Sequence, residues 1–308
     1  MATHDFLPVT FHNTFGSHAP AFRVDPGDSI ATSTVDARGR DLNNAELAGR
    51  PNPQTGPIYV NGAEPGDTLV FHLEHLRPNR SLGWTSAQLA PNVLDFGYQP
   101  EFGDEVELAE WHVDADAGTV TLTSLENRLT GKPLPLRSML GTVGVAPAIG
   151  EAISTSTSGP HGGNMDYNRI AEGVTVFFPV FTEGALFFLG DGHALQGDGE
   201  MDGTGVEISM DVRFSLDLIK HQAIQWPRAE DALYLMTCGN VRPLDQAVQH
   251  ATTEMLDWLE TSYGLTTREA HMLLGRFSEY DIGNMYDPAY TMVCKVRKSV
   301  LSDLGSNP

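Results

Sequence analysis

The pattern of apolar and polar positions over the first 215 residues predicts strands and turns. After the turn Pro65-Gly66-Asp67, the apolar residues Leu69, Phe71 and Leu73 alternate with less apolar neighbours, as in a half-buried strand. The same tripeptide precedes another β-rich run at Pro26-Gly27-Asp28. Since Pro presets the first turn dihedral and Gly accepts a positive φ, both tripeptides predict turns that lead into strands.

Five further segments have the composition of strands, and clusters of Gly, Pro and Asp separate them. They are residues 118–123, 141–146, 174–180, 185–189 and 205–214. Between the predicted strands, residues 77–104 form a long, irregular, aromatic-bearing insert, which we expect to be a functional loop or a solvated surface loop. This spacing is typical of a β-sandwich or jelly roll.

The pattern changes to helical spacing after residue 226. Gly264 follows the first predicted helix as a helix-ending residue. Thr266 with Glu269 forms a capping box that begins a second helix, which extends to about Phe277. A final strand is expected over residues 293–301. The apolar positions of the first helix are Leu244, Val248, Ala251, Met255, Leu256 and Leu259.

These patterns predict a mainly β fold with two parts. Residues 1–215 form a jelly-roll or β-sandwich-like body, and residues 216–308 form a smaller mixed α/β part. No linker-like stretch separates the two, so we expect the C-terminal part to pack on the body.

Charge and cysteine content restrict the partners and the compartment. The 308 residues contain 19 Lys and Arg against 40 Asp and Glu, a net charge of −21. This acidity argues against nucleic-acid binding and against anionic membranes. The first 15 residues have no basic or apolar region of a secretory signal, and no apolar run approaches membrane-spanning length. With only two cysteines, a reduced, cytoplasmic protein is expected.

Several common catalytic motifs are missing from the sequence. There is no Gly-x-Ser-x-Gly, Ser-x-x-Lys, Walker loop, dinucleotide-binding Gly-x-Gly-x-x-Gly or His-Glu-x-x-His motif. Cys238 and Cys294 lie in apolar contexts, so we expect buried, unreactive thiols rather than nucleophiles.

Two glycine-rich segments combine imidazoles, carboxylates and amides. The first covers residues 158–166 and the second covers residues 190–207. We expect the two strands between them to form a hairpin whose flanking turns bring both segments to one end of a sheet. Their polar side chains are His161, Asn164, Asp166, Asp191, His193, Gln196, Asp198, Glu200, Asp202 and Glu207.

This combination is the donor set of a divalent cation. Such an ion offsets the repulsion that raises carboxylate pKa values in a cluster. Histidine with carboxylates suits Zn²⁺, whereas oxygen-only ligation suits Ca²⁺. The competing interpretation is that the Gly-Asp-Gly sequences are ordinary turns and that His193 is structural. Asp36, after a strand-like run, could face the same site or serve only a turn.

The glycine-rich segments resemble the acetamidase/formamidase family. The matching motifs are residues 159–166 (Gly-Pro-His-Gly-Gly-Asn-Met-Asp), residues 190–193 (Gly-Asp-Gly-His) and residues 197–200 (Gly-Asp-Gly-Glu). Thr34-Val35-Asp36, the Pro-Gly-Asp turn and residues 265–270 add support in chain order. Residues 280–287 and the aromatic insert depart from the family pattern, which leaves the substrate open.

The resemblance implies a hydrolase that cleaves the C–N bond of small linear amides such as acetamide and formamide, with a divalent metal, Zn²⁺ preferred over Ca²⁺. The metal ligands it implies are Asp191 and His193, completed by Asp166 or His161. Glu200 and Asp36 are the candidates for general base, and Asn164 for orienting the substrate carbonyl. Gly162 and Gly163 are expected to supply oxyanion-stabilising N–H groups.

Two alternatives accompany this hypothesis. The same site could hydrolyse lactams or carbamates, since the aromatic insert suggests a pocket for bulkier substrates. The protein could instead be a non-catalytic, Ca²⁺-binding β-sandwich module. In either case we expect a homodimer or a higher homo-oligomer.

Overall fold

The computed structural model describes residues 2–98 and 107–303. The end of the aromatic insert, with Phe102, lies outside these residues. Twenty-two strands and three α-helices are described, and two short 3-10 turns lie at Pro91–Val93 and Ala148–Gly150. The mainly β prediction is therefore confirmed.

The strands in the first half of the chain belong to several sheets. They are β1 Thr3–Asp5, β2 Phe11–His12, β3 Thr14–Phe15, β4 Phe22–Val24, β5 Asp28–Ser33, β6 Gln54–Val60, β7 Thr68–Pro78, β8 Leu82–Ser86, β9 Leu108–Asp114, β10 Thr119–Leu122, β11 Pro133–Pro135 and β12 Met139–Gly144. The second half adds β13 Ile153–Ser154, β14 Ser158–Gly159, β15 Gly162–Asn164, β16 Thr175–Pro179, β17 Phe187–His193, β18 Met210–Ile219, β19 Arg228–Glu230, β20 Tyr234–Asn240, β21 Glu279–Asn284 and β22 Thr291–Arg297.

A nine-stranded sheet forms one layer in the order β1-β5-β18-β7-β16-β19-β20-β22-β21. Its long central strands alternate as the sequence predicts. Leu69, Phe71 and Leu73 of β7 are fully buried, and Val212 and Phe214 of β18 face the same interior. Because side chains alternate across a strand, one apolar face of this sheet is available for packing.

A seven-stranded sheet forms the facing layer in the order β14-β15-β12-β17-β6-β2, with β4 parallel to β6. A smaller sheet of β11-β10-β9-β8 adjoins it, and β13 pairs with β3. Phe187 of this layer contacts Phe71 and Phe214 of the nine-stranded sheet, with ring centroids 5.0 and 5.7 Å apart. The main core thus lies between the two sheets, and each buried aromatic there contributes about 1.5–3 kcal/mol.

Three helices follow the strands: α1 Leu244–Tyr263, α2 Thr267–Phe277 and α3 Lys298–Asp303. Gly264 adopts the left-handed conformation that ends α1, and Thr266 with Glu269 forms the predicted capping box of α2. The helices form a second apolar cluster with the nine-stranded sheet, including Leu235 and Val296. The predicted helix bounds are confirmed.

Three predictions about strands are wrong. The strands between the two glycine-rich segments form no hairpin, because β16 lies in the nine-stranded sheet and β17 in the seven-stranded one. The strand expected over 293–301 ends at Arg297, where the run of buried residues in β22 stops, and the chain continues as α3. The insert is less irregular than expected, because it contains the end of β7 and all of β8.

The division at residues 215 and 216 stays a prediction. The nine-stranded sheet takes strands from both parts, and β18 crosses the expected boundary. Among the described residues, no helix has the length and apolarity needed to traverse a bilayer. Both cysteines are buried and unpaired, as predicted, and burial raises the pKa of Cys238 to about 12.

Candidate active site

The central strand β12 brings the two glycine-rich segments together. It pairs with β15 on one side, where Thr142 lies opposite Asn164, and with β17 on the other, where Thr142 lies opposite Gly190. Gly190 to His193 therefore belong to a strand rather than to a turn. Two positions of this strand have room only for glycine. A Cβ on Gly190 would lie 2.5 Å from Gln54 Oε1, and a Cβ on Gly192 would lie 2.3 Å from Met210 Cγ.

Five buried carboxyl groups and one imidazole lie together at this junction. Their ligand atoms form three overlapping groups, each with all atoms within 4.8 Å. None of the five forms an ion pair with Lys or Arg among the described residues; the basic side chain beside them is His193. The groups are Asp166–Asp191–His193, His193–Glu200–Glu207 and Asp166–Glu200–Asp287.

Three of these carboxyl groups stand on unusual backbone. Asp166, Asp191 and Glu200 have φ values of 46°, 58° and 43°. Non-glycine residues avoid this left-handed region, and such conformations concentrate at functional sites. The backbone is therefore shaped to aim these side chains inward.

The tautomer of His193 follows from its partner. The amide nitrogen of Gln196 donates to the backbone carbonyl of Asp166 over 2.7 Å, which directs Gln196 Oε1 to His193 Nδ1 at 2.7 Å. Nδ1 must therefore carry the proton in the neutral ring, and Nε2 presents its lone pair. This is the arrangement that fixes a metal-ligating histidine.

The lone pair on His193 Nε2 faces two carboxylates, but Nε2 forms no hydrogen bond with either of them. Nε2 lies 3.0 Å from Glu207 Oε1 and 3.5 Å from Asp191 Oδ1, yet it has no well-aligned hydrogen-bond partner. Glu207 Oε2 and Asp166 Oδ1 are also buried without a partner among the described residues. Such atoms are costly unless another group satisfies them.

Amides and a hydroxyl hold the remaining carboxylate oxygens. Asp191 Oδ2 accepts from Asn52 Nδ2 at 2.9 Å and from Thr142 Oγ1 at 3.0 Å. Asn284 Nδ2 donates to Asp166 Oδ2 at 2.7 Å and to Glu200 Oε2 at 2.8 Å. One oxygen of Asp166 and of Asp191 is thus anchored, and the other is left for a ligand.

Space for that ligand depends on Gly141 of β12. A Cβ on this glycine would lie 2.4 Å from Asp166 Oδ1 and 2.9 Å from Asp191 Oδ2. Any side chain at this position would therefore fill the cradle between the two carboxylates.

Burial and mutual repulsion disfavour negative charge on four of the five carboxyl groups. Burial, and then the charges of its neighbours, raise the pKa of Asp166 and of Glu200 well above the usual range. Burial raises the pKa of Glu207 to about 8 and that of Asp287 to about 6. Burial lowers the pKa of His193, but attraction to Glu207 and Asp191 outweighs it and raises that pKa well above its ordinary value. Protons or a divalent cation can supply the compensating positive charge.

The donor set fits a divalent cation. Asp166, Asp191, Glu207 and His193 offer carboxylate oxygens and one imidazole nitrogen, three of these atoms are unsatisfied, and the Gly141 cradle leaves room. Carboxylate and imidazole are the ligands that Zn²⁺ accepts in hydrolytic sites.

The structure places Asn164 in the cluster, where both ends of its side-chain amide form hydrogen bonds. Its Nδ2 group donates to Asp166 and Asp287, and its Oδ1 accepts from Asn52.

Four other residues suggested by the sequence stand apart. His161 packs edge-on against Phe15 with centroids 5.0 Å apart, and burial lowers its pKa to about 4. Gly162 and Gly163 pair in β15, and a Cβ on either would strike neighbouring atoms of the interior. Asp36 is buried against Arg80 and accepts from the indole N–H of Trp84 at 3.0 Å.

Sequence motifs assign no role to several site residues. Glu207 lies in the second glycine-rich segment outside the matching motifs, and Asp287 lies in the segment that departs from the family pattern. Asn52 and Asn284 come from distant parts of the chain and carried no motif. Their one shared signal is that each is an isolated polar residue next to glycine, proline or a strand end.

The cluster forms the floor of a cavity of about 840 Å³. Asn164, Asp191, Glu200, Glu207 and Asp287 line its deep end. The walls come largely from the insert and from the loops after β5 and β21, namely Arg38, Arg50, Trp84, Leu89, Leu94, Tyr98 and Tyr286. A ligand in this cavity can therefore reach the buried carboxylates.

Comparisons with known proteins identify relatives of the whole fold. The model of the Acetamidase/Formamidase family matches residues 148–282. The crystal structure of an acetamidase from Yersinia enterocolitica is 31% identical, covers 97% of this chain and 93% of its own, and superposes with a TM-score of 0.84.

Curated sequences agree with the structural match. An acetamidase from Mycolicibacterium smegmatis is 24% identical over 294 residues, which cover 72% of this chain and 72% of that protein. A putative formamidase from Schizosaccharomyces pombe is 24% identical and covers 68% of this chain. The chain spans 64% of the length of that second relative.

Proposed function

Because the chain belongs to the acetamidase/formamidase family and is an amidase, we propose that it hydrolyses small linear amides to carboxylate and ammonia with the help of a divalent cation. One observation supports the metal dependence above all. Five buried carboxyl groups gather at the floor of an accessible cavity, four of them within ligand distance of His193, without a Lys or Arg counterion among the described residues.

The residues that would hold the cation are Asp166, Asp191 and His193, with Glu207 beside them. A bound Zn²⁺ supplies Lewis acidity that polarises the amide carbonyl and lowers the pKa of water. The imidazole in the donor set favours Zn²⁺ over Ca²⁺. His161 is a weaker candidate for this set because its ring lies against Phe15.

Glu200 is the proposed general base. It lines the cavity, and only one of its oxygens is engaged, by Asn284 at 2.8 Å. A carboxylate with a raised pKa accepts a proton from the attacking water and returns it to the leaving nitrogen. The water oxygen then forms the new C–O bond, the C–N bond breaks, and ammonia leaves with the transferred proton.

Asn164 is proposed to position carboxylates rather than substrate. Both of its N–H donors are already used by Asp166 and Asp287. Asp36 supports the cavity wall through Trp84, away from the reacting atoms. A cytoplasmic location and a homodimeric or higher assembly remain part of the proposal.

The test uses protein purified without chelator. We expect stoichiometric zinc by mass spectrometry and ammonia release from formamide and acetamide that stops on chelation. Asp191→Ala and His193→Ala should lose both metal and activity, whereas His271→Ala on the exposed face of α2 should lose neither. Full activity and metal content in the first two variants would contradict the proposal.

The size of the cavity favours a second candidate substrate class. Acetamide has four heavy atoms and occupies roughly 120 Å³ if each takes a water's share of volume, far less than the 840 Å³ present. The same carboxylates and cation could hydrolyse lactams or carbamates. The metal-loaded protein would belong to this class if it released no ammonia from formamide or acetamide but hydrolysed a lactam. Family membership favours both candidates over a non-catalytic Ca²⁺-binding module.

A further inference from the structure

Two arginines line the same cavity as the acidic floor. Arg38 follows β5 and is half-buried, and Arg50 lies on the following loop and is exposed. Neither forms an ion pair with a carboxylate of residues 2–98 or 107–303. The cavity therefore has a negative floor and a positive wall.

The guanidinium of Arg38 is held in a defined orientation. It stacks on Trp84 with its central carbon 4.0 Å from the ring centroid. Trp84 is fixed in turn, because its indole N–H donates to Asp36 Oδ2 at 3.0 Å and Asp36 is paired with Arg80. Stacking occupies the face of a guanidinium and leaves the N–H donors on its edge available.

The wall and the floor are close to each other. The backbone of Trp84 pairs with that of Glu207 through N–O distances of 2.9 and 3.3 Å. The residue on which Arg38 stacks is thus paired directly with a residue of the carboxylate cluster. Burial, and then the charge of Arg50, lower the pKa of Arg38, while attraction to Asp36 and Glu207 acts in the opposite direction.

We infer that the cavity binds amides that carry a second, anionic carboxylate, with the amide at the acidic floor and the carboxylate on Arg38 and Arg50. This inference names the substrate class of the proposed amidase and rests on that function. An arginine edge matches the two oxygens of a carboxylate, and the acidic floor repels that end of the ligand. The substrate can therefore bind in only one direction.

The experiment compares two amides with the same four-carbon chain. Succinamate carries a carboxylate where butyramide has a methyl group. We expect the wild type to prefer succinamate in kcat/KM. Arg38→Gln should lower kcat/KM for succinamate about tenfold or more, mainly through KM, as for the loss of a hydrogen bond to a charged group. Butyramide should change little.

Two further variants make the comparison specific. Arg38→Lys keeps the charge and should recover part of the preference, whereas Arg268→Gln on exposed α2 should change neither substrate. Higher salt should weaken the preference, because screening reduces the attraction between charges. Equal hydrolysis of both amides by the wild type, or equal losses for both in Arg38→Gln, would overturn the inference.

Binding of succinate separates this inference from the proposed function. Calorimetry with the wild type should detect succinate, and Arg38→Gln should bind it about tenfold more weakly or not at all. Succinate binding that needs Arg38, in a protein inactive on every amide, would refute the amidase and keep the carboxylate subsite. Amide hydrolysis with no succinate binding would keep the amidase and overturn the subsite.

Discussion

At the scale of single residues, glycines determine what the site can hold. Gly141 leaves the space between Asp166 and Asp191 open, while Gly190 and Gly192 allow Gln54 and Met210 to pack against β17. The carboxylates themselves stand on strained, left-handed backbone. Site geometry here depends as much on absent side chains as on the acids.

The first prediction concerns that open space. Gly141→Ala places a Cβ 2.4 Å from Asp166 Oδ1 and 2.9 Å from Asp191 Oδ2, so we expect loss of bound metal and of ammonia release. Overpacking of this kind costs about 1–3 kcal/mol of stability, which a protein of this size should tolerate. Metal analysis, activity and circular dichroism would measure the three effects.

Gly197→Ala is the matched control. Gly197 lies in the same glycine-rich segment, and a Cβ there would meet nothing within 4 Å. Metal content and activity should stay at wild-type values. If Gly141→Ala kept its metal while Gly197→Ala lost it, the cradle would not be the metal site.

At the scale of elements, the aspartates of the two Pro-Gly-Asp turns have the same structural role. Asp67 accepts from the backbone N–H of Glu64 at 2.8 Å and of His221 at 3.0 Å, and from Lys220 Nζ at 2.6 Å. Asp28 accepts from Ala2 N at 2.6 Å and contacts His4. Each turn thus ties the start of a long strand to another segment of the chain.

The second prediction concerns the pH dependence of the stability that Asp67 contributes through its hydrogen bonds and its ion pair with Lys220. Burial raises the pKa of Asp67, but Lys220 and the backbone donors outweigh it and hold that pKa below its ordinary value. The stabilisation is therefore complete above the unfolded-state pKa, about 3.9, and disappears as the pH falls through the lower folded-state value. Asp67→Asn should lower Tm by several degrees at pH 7 and by much less at acidic pH.

Thermal unfolding of both proteins between pH 7 and pH 2.5 would measure this difference. Asp217→Asn on the exposed side of β18 serves as a control of equal charge change. A Tm difference for Asp67→Asn that stays constant over the whole range would show that the charge of Asp67 contributes nothing.

At the scale of the whole molecule, negative charge is concentrated as well as abundant. The chain carries −21 overall, and five carboxyl groups are buried together between strands of the seven-stranded sheet and the loops above it. Their repulsion opposes folding unless protons or a cation compensate. The cation should therefore stabilise the fold in addition to serving the reaction.

The third prediction follows from this coupling. A metal present at about a thousand times its Kd adds about 4 kcal/mol to the stability of the folded state. Chelation should therefore lower Tm by several degrees, and added Zn²⁺ should restore it. His193→Ala should show a low Tm that neither chelator nor zinc changes. An unchanged Tm for the chelated wild type would contradict a metal held by this cluster.

The sequence by itself determined the elements with strong local signals. Alternation at Leu69, Phe71 and Leu73 identified β7, and the capping box at Thr266 with Gly264 identified the helix ends. Motif density also identified Asp166, Asp191, His193 and Glu200 as one group of polar residues. These features depend on neighbours within a few residues, so local periodicity and turn chemistry are sufficient.

Only the tertiary structure decided how those elements meet. The expected hairpin of β16 and β17 is wrong because the two strands pair with partners in different sheets, and β12 joins the glycine-rich segments instead. Strand pairing of this kind links residues far apart in the chain. Short-range patterns carry no information on it.

The same reason explains which site residues the sequence could and could not supply. Asp287 and Glu207 join the cluster only through folding, while His161 leaves it although it lies in the matching motif. Arg38 acquires its place in the cavity through Trp84, which is 46 positions away in the chain. A buried polar site needs its charges compensated in three dimensions, and only the folded chain determines which distant residues supply the partners.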